Sequence, residues 1–343
     1  MRLIQLEPEQ LQLLQEFEAG LDPAHPEQGP LGPRIIGYGE MSTVFTFEEP
    51  RLQGLACKRM ALFETEAEIE AYAADYLQYH TRLQAAGVRT PDYGYARITT
   101  PRGQPVLYLL QMMLQPDSIC HKLLPQLNTS AALHLFDALM DSIAGVYRYA
   151  ANDPEFALGF DAQLSNWSLQ NKPDTTPLTT PQSIELIYID TSTPLMRTAG
   201  REHLDPELFL RICPASLVWI VRRFFLADVM DRYYEPQLVV LDLIANLNKE
   251  GRPDLIEPLL QQANSRLEQL YTDLEKIMRG RQQPHPSFQL QPFRALTVKQ
   301  VRAYYKEDAF IWRLFLALRR LERGWRKLRG QKYPLILPGK IKR

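Results

Sequence analysis

Four short stretches carry side chains whose types and order suit a phosphorylated ligand. Gly37-Tyr38-Gly39-Glu40-Met41-Ser42-Thr43-Val44 lies between two strand-like segments. Glycines at such a turn let backbone N–H groups approach phosphate oxygens closely. Read alone, the stretch is equally a plain β-turn, and because it does not open a helix it matches neither a Rossmann fingerprint nor a Walker A loop. Lys58 sits among apolar strand neighbours, where an unpaired ammonium is costly. The helical stretch after it offers Glu66, Glu68 and Glu70. Glu70, one turn in and beside the apolar face, is the expected partner, with Glu66 next. Otherwise Lys58 is an edge-strand lysine reaching water. Asp161 and Asn166, five apart in a loop, suit a carboxylate at a substrate hydroxyl and an amide oxygen on a hard metal ion such as Mg²⁺. Asp190 closes the apolar run Glu185–Ile189, where it either binds a metal ion or forms an Asx-turn that ends the strand.

The elements around these residues follow from periodicity. Thr43–Phe47 and Leu55–Met60 read as strands. Residues 66–84 read as a helix with Ile69, Tyr72, Ala73, Tyr76, Leu77 and His80 on one face, capped by Thr65 with Glu68 three residues on. Tyr93–Thr99 and Val106–Leu114 read as strands across the turn at 101–103, and 5–20 has helical spacing. Beyond Ser118 the chain predicts an apolar helix over 133–150. Trp167–Leu169 and Ile184–Ile189 predict a small hairpin joined by the Pro/Thr-rich residues 171–183. Helices follow over 206–247, broken at Pro214 and Pro236, and over 253–279 and 297–329, with 281–296 as a linker.

Taken together, this order resembles the protein-kinase-like superfamily, nearest its aminoglycoside phosphotransferase and choline kinase-like branch. Gly37-x-Gly39-x-x-Ser42-x-Val44 is similar to the Gly-rich loop, and Ala56-Cys57-Lys58 to the strand bearing the phosphate-pairing lysine. Tyr108–Met113 resembles the strand entering the hinge, so the resemblance implies that Met112 and Met113 border an adenine. Asp161-x-x-x-x-Asn166 resembles the catalytic-loop pair, and Ile189-Asp190 the metal-binding aspartate. The implied fold is α+β and two-lobed: a helical extension over 1–33, a small β-rich lobe over 34–114 and a large, mainly helical lobe over 115–343. The implied function is ATP- and Mg²⁺-dependent phosphoryl transfer to a small-molecule hydroxyl, with Asp161 catalytic, Asn166 and Asp190 holding the metal, and Gly37, Gly39, Ser42, Val44, Lys58, Glu70, Met112 and Met113 around the nucleotide. The sequence departs from the pattern in three places. Ser42 replaces the third glycine, no histidine or arginine precedes Asp161, and Thr191-Ser192 follows Asp190. Two rivals stand beside this reading: a catalytically inactive kinase-like scaffold, and an unrelated α+β interaction protein.

Composition sets the outer limits. The 343 residues correspond to about two units at roughly 150 residues each. Apolar residues make up 45% and charged residues 23%, enough for a real core. A net charge of −1 gives no general attraction to nucleic acid or an acidic membrane. No apolar run approaches a spanning helix, and the N-terminus shows no long apolar leader, so the expectation is a cytoplasmic protein. Cys57, Cys120 and Cys213 are far apart and no short histidine pair occurs, which argues against disulfides and zinc sites and for buried hydrophobic thiols. Residues 319–343 hold ten Lys or Arg against one acid, Glu322. They read as a solvated helix face with a basic tail, or as a contact for an acidic partner. Trp219, Phe224, Phe225, Tyr233 and Tyr234 read as core, or as the lining of an acceptor pocket.

Overall fold

A computed structural model of the chain describes residues 1–39, 41–170, 184–220, 222, 230–279, 290–330, 333 and 335–337. The first third builds a six-stranded sheet from β1 (Leu3–Ile4), β2 (Pro33–Tyr38), β3 (Thr43–Phe47), β4 (Leu55–Met60), β5 (Tyr93–Thr99) and β6 (Pro105–Met112), in the order β1-β5-β6-β4-β3-β2. All pairings are antiparallel except β1 with β5. Strand alternation gives each face its own helix. On one side Phe45, Phe47, Cys57, Tyr108 and Leu110 pack against Leu13, Leu14 and Phe17 of α1 (Pro8–Gly20). On the other, Met60, Leu107 and Leu109 join Ile69, Tyr72, Tyr76 and Tyr79 of α2 (Glu66–Ala85). Residues 1–33, expected as an extension, therefore belong to the sheet layer itself.

One polar cluster lies inside the α1 face. Arg59 donates to both oxygens of Glu18 at 2.8 and 2.6 Å, and Tyr108 Oη donates to Glu18 Oε2 at 2.6 Å. Both Glu18 carboxylate oxygens thus have partners, which is the condition for burying a charge pair.

The rest is mainly helical. It comprises α3 (Cys120–Leu123), α4 (Thr129–Ala151), α5 (Glu207–Ile212), α6 (Ala215–Ile220), α7 (Pro236–Ala245), α8 (Ile256–Arg279) and α9 (Val298–Leu328). The apolar face of α4 packs on α7 and α8, and α9 lies against α7. Two small sheets interrupt the helices: β7 (Phe156–Leu158) with β10 (Met196–Thr198) and β11 (Arg201–Glu202), and the hairpin of β8 (Trp167–Leu169) with β9 (Leu186–Tyr188). Thr65 caps α2 as expected, accepting from Glu68 N at 3.2 Å. The Glu68 carboxylate, however, accepts from Glu64 N and from Arg211 rather than closing a capping box. The connection 171–183 lies outside the described residues, as do Phe224 and Phe225.

Candidate functional site

Lys58 reaches the site because β4 alternates. Cys57 and Arg59 point into the α1 face, so Lys58 points to the other side, toward the helical part. There its Nζ donates to Asp190 Oδ1 at 2.8 Å and to Ser192 Oγ at 2.6 Å. Ser192 Oγ donates in turn to the same carboxylate oxygen at 2.7 Å. Asp190 follows β9, and its loop is fastened from three directions. Tyr72 Oη donates to Ser192 O, Gln111 Nε2 donates to Ile189 O at 2.8 Å and to Thr191 Oγ1 at 3.1 Å, and Ile189 N donates to Asn166 O at 2.8 Å. Burial pushes the Asp190 carboxyl upward, but the Lys58 ammonium and the Ser192 bonds outweigh it and hold Asp190 below the usual carboxylate range.

Asp161 and Asn166 are set by the chain on either side of them. Phe160, Trp167 and Tyr188 are buried and meet ring to ring at 4.6–5.5 Å, which pins the loop ends to β8 and β9. Gly159 is needed just before them. A Cβ there would lie 2.8 Å from Leu195 Cβ and 3.1 Å from the Tyr234 ring. Asn166 Nδ2 donates to Asp161 O at 3.3 Å, and Asp161 Oδ1 accepts from Gln163 N at 3.2 Å. Burial, then the charges of Asp242 and Asp190, push the Asp161 carboxyl up to about 7, against weaker opposition from Gln163 and Arg232. The two acids therefore behave in opposite ways, Asp190 ionised and Asp161 pushed up to about 7.

Asp242 of α7 belongs to this site and sequence reasoning missed it. It borders a small cavity with Asp161, Arg232 and Tyr233. Burial raises its carboxyl, while Arg232, Tyr304 and Gln163 pull the other way. The signal was available: Asp242 is the one acid within the apolar run Leu238–Ala245. A helix apolar on all sides is buried, so a carboxylate on it must find partners.

The glycine turn is a tight hairpin end. Gly39 N donates to Ser42 O at 2.9 Å, and a Cβ on Gly39 would sit 2.7 Å from Ser42 Oγ. Gly37 pairs with Val44 beside a bulge in β2, and the tip residue Met41 is buried with the α2-side core.

One expectation needs correction. Glu70 does not meet Lys58: it is 65% exposed and pairs with Arg97 at 2.7 Å. Glu66 is likewise exposed. The side of α2 that faces the site carries Tyr72, Tyr76 and Tyr79, one helical row, and residue 70 lies about 200° around the helix from residue 72. Met112 and Met113 sit exposed where β6 ends, their N–H groups donating to Asp92 O at 3.0 Å and Gly54 O at 2.8 Å. Of the expected aromatic lining, Tyr233 borders the cavity at Asp161, Tyr234 is buried, and Trp219 is 69% exposed. The thiols of Cys57 and Cys120 are pushed up to about 12 by burial, which fits inert packing.

The oxygens open to a cation are few. Asp190 is ionised, and no donor among the described residues reaches Asn166 Oδ1. Among the described residues, no cluster of three His, Cys, Asp or Glu would hold a metal ion unaided. The pair Asn166 and Asp190 fits a hard divalent ion only if a ligand supplies further oxygens.

A family model covers residues 34–289, from β2 to beyond α8. The chain belongs to DUF6206, a family of unknown function. In this DUF6206 member the matched span contains Lys58, Asp161, Asn166, Asp190 and Asp242, and excludes α1 and α9. No curated protein matches the chain. Among solved structures, one described as WaaP in complex with acyl carrier protein is similar at 16% identity, over 81% of this chain and 99% of that one, with a TM-score of 0.35. A likeness at that score carries no argument here. No helix among the described residues is long and apolar enough to cross a membrane.

Proposed function

We propose that this chain is a kinase-like phosphotransferase that uses ATP and Mg²⁺ to phosphorylate a small-molecule hydroxyl. The observation that carries the reading is the contact of Lys58 with Asp190, far apart in sequence, with the Asp190 charge also felt by the Asp161 carboxyl. Mg²⁺ bound with ATP would neutralise charge on the phosphates. Asn166 and Asp190 would hold that ion through an amide oxygen and an ionised carboxylate. Lys58 would turn from Asp190 to phosphate oxygens, and the Gly37–Val44 turn would lie over them. Asp161, with its carboxyl near 7, is suited to accept the proton of the acceptor hydroxyl, since a general base works best close to ambient pH. Arg232 and Tyr233, beside Asp161, would border the acceptor.

The test separates the two acids. Asp161→Asn should lower phosphoryl transfer by about 10²-fold or more while ATP still binds, whereas Asp190→Ala should weaken Mg-ATP binding itself. Both variants turning over at the parent rate would refute the assignment. A second reading, a kinase-like scaffold without turnover, is favoured by one specific arrangement. Lys58 is closed onto Asp190, and the Met112 and Met113 N–H groups are spoken for. Tight Mg-ATP binding with no transfer to any hydroxyl acceptor would select it.

A further inference from the structure

Helix α9 presents an apolar face that the other described residues do not cover. Its inner side is set by Val301, Ala309, Leu316 and Arg319, the last donating to Ile212 O. On the opposite side Phe310, Ile311, Leu314, Leu321, Trp325 and Leu328 are exposed, from 40% at Leu314 to 87% at Leu328. At 3.6 residues per turn these six fall within an arc of about 120° and run for about 28 Å along the axis. Lys306, Arg313, Arg320 and Lys327 recur at intervals of seven along one border of that face, and all four are exposed. The chain after the helix is basic too, with Lys332, Lys340, Lys342 and Arg343.

We infer that α9 is a docking surface for an anionic phospholipid membrane, lying in the plane of the interface with this face inserted. The chemistry of the occupant follows from charge. A broad stripe of Phe, Leu and Trp bordered by lysine and arginine matches acyl chains beneath phosphate headgroups. A second copy of the chain fits less well, because four cations on this border would face the other copy's four with one exposed acid, Glu307, on the face, and the arc is wider than a two-per-seven helix seam. Neutral overall charge does not oppose the assignment, since α9 itself carries nine Lys or Arg against three acids. The inference does not rest on the phosphate-site reading: α9 lies outside the family match and contributes none of Lys58, Asp161, Asn166 or Asp190.

Co-sedimentation of the full chain with phosphatidylcholine vesicles, with and without phosphatidylglycerol, tests it. The parent should bind the anionic vesicles at low salt, release at high salt, and bind neutral vesicles weakly. Lys306→Glu and Arg313→Glu should each weaken anionic-vesicle binding by about fivefold or more, the loss expected for one cation at such a surface. Leu321→Glu with Trp325→Glu should abolish it without changing the circular dichroism spectrum, because both positions are already exposed. Trp325 emission should shift to the blue on binding, and that shift should vanish in Trp325→Phe. The inference is overturned by no binding to anionic vesicles at low salt, by binding that survives Leu321→Glu with Trp325→Glu, or by light scattering that finds a dimer dissolved by that same double variant.

Discussion

Asp161 makes a quantitative claim about pH. Its carboxyl is pushed from an ordinary 3.8 up to about 7, chiefly by burial and next by Asp242 and Asp190. Above pH 4 the unfolded chain has released this proton while the folded chain keeps it, so the folded state binds more protons and stability falls as pH rises toward and through 7. A shift of about three pH units at roughly 1.4 kcal/mol each amounts to several kcal/mol in all, of which about 2–3 kcal/mol accrues between pH 5 and pH 8. Asp161→Asn replaces the acid with a neutral group of the same shape and removes this dependence. Urea unfolding of parent and variant at pH 5, 6, 7 and 8 gives the difference directly. The variant should gain on the parent by about 2–3 kcal/mol over that range, with most of the change below pH 7. Asp190 is ionised throughout the range, so the difference reports Asp161 together with Asp242, the charge that acts on it most. A stability difference that stays flat with pH would refute the buried, proton-holding Asp161, and with it the basis for assigning it as the base.

Further outcomes follow from the same geometry. Glu18→Ala should cost about 3–5 kcal/mol in urea unfolding, because it strands Arg59 and Tyr108 inside the α1 face. A double variant replacing Arg59 with Met as well should recover much of that loss; recovery near zero would mean that packing rather than charge holds the cluster. Lys58→Met and Asp190→Asn should show a coupling energy of about 1 kcal/mol in a double-mutant cycle, and strict additivity would contradict the contact. Trp167→Ala should cost about 3–5 kcal/mol and also lower any transfer activity, since it removes the ring that holds Asn166 in place. Tyr72→Phe should cost about 1 kcal/mol and weaken nucleotide binding, by releasing Ser192 and thereby the Lys58–Asp190 contact.

Much of the sheet layer was legible because its strands are long enough to carry a pattern. β3, β4, β5 and α2 fall within a residue or so of where alternation, glycine turns and the Thr65 cap put them. The β8–β9 hairpin was legible from its apolar runs and the Pro/Thr stretch between them. β1, β7, β10 and β11 were not, since two or three residues carry no periodicity and their pairings are made by distant chain. At the site, Lys58, Asp161, Asn166 and Asp190 were recognisable by order, and the structure brings Lys58 to Asp190 directly. The partner of Lys58 was not legible, because Glu70 borders the apolar face in sequence without lying on the side that meets the sheet. Glu70 is the right kind of group, but Ile69, Tyr72, Tyr76 and Tyr79 fix the inward side, and that rotates Glu70 out to Arg97. Asp242 was passed over for the opposite reason, as a single acid in a run that read as core.

Titration calorimetry of ATP into the full chain, with and without Mg²⁺, tests the central claim most directly. The account predicts binding that requires Mg²⁺, weakens by about tenfold or more in Asp190→Ala and in Lys58→Met, and persists in Asp161→Asn. Binding that ignores both Mg²⁺ and the loss of Asp190 and Lys58, or no binding at all, would contradict it.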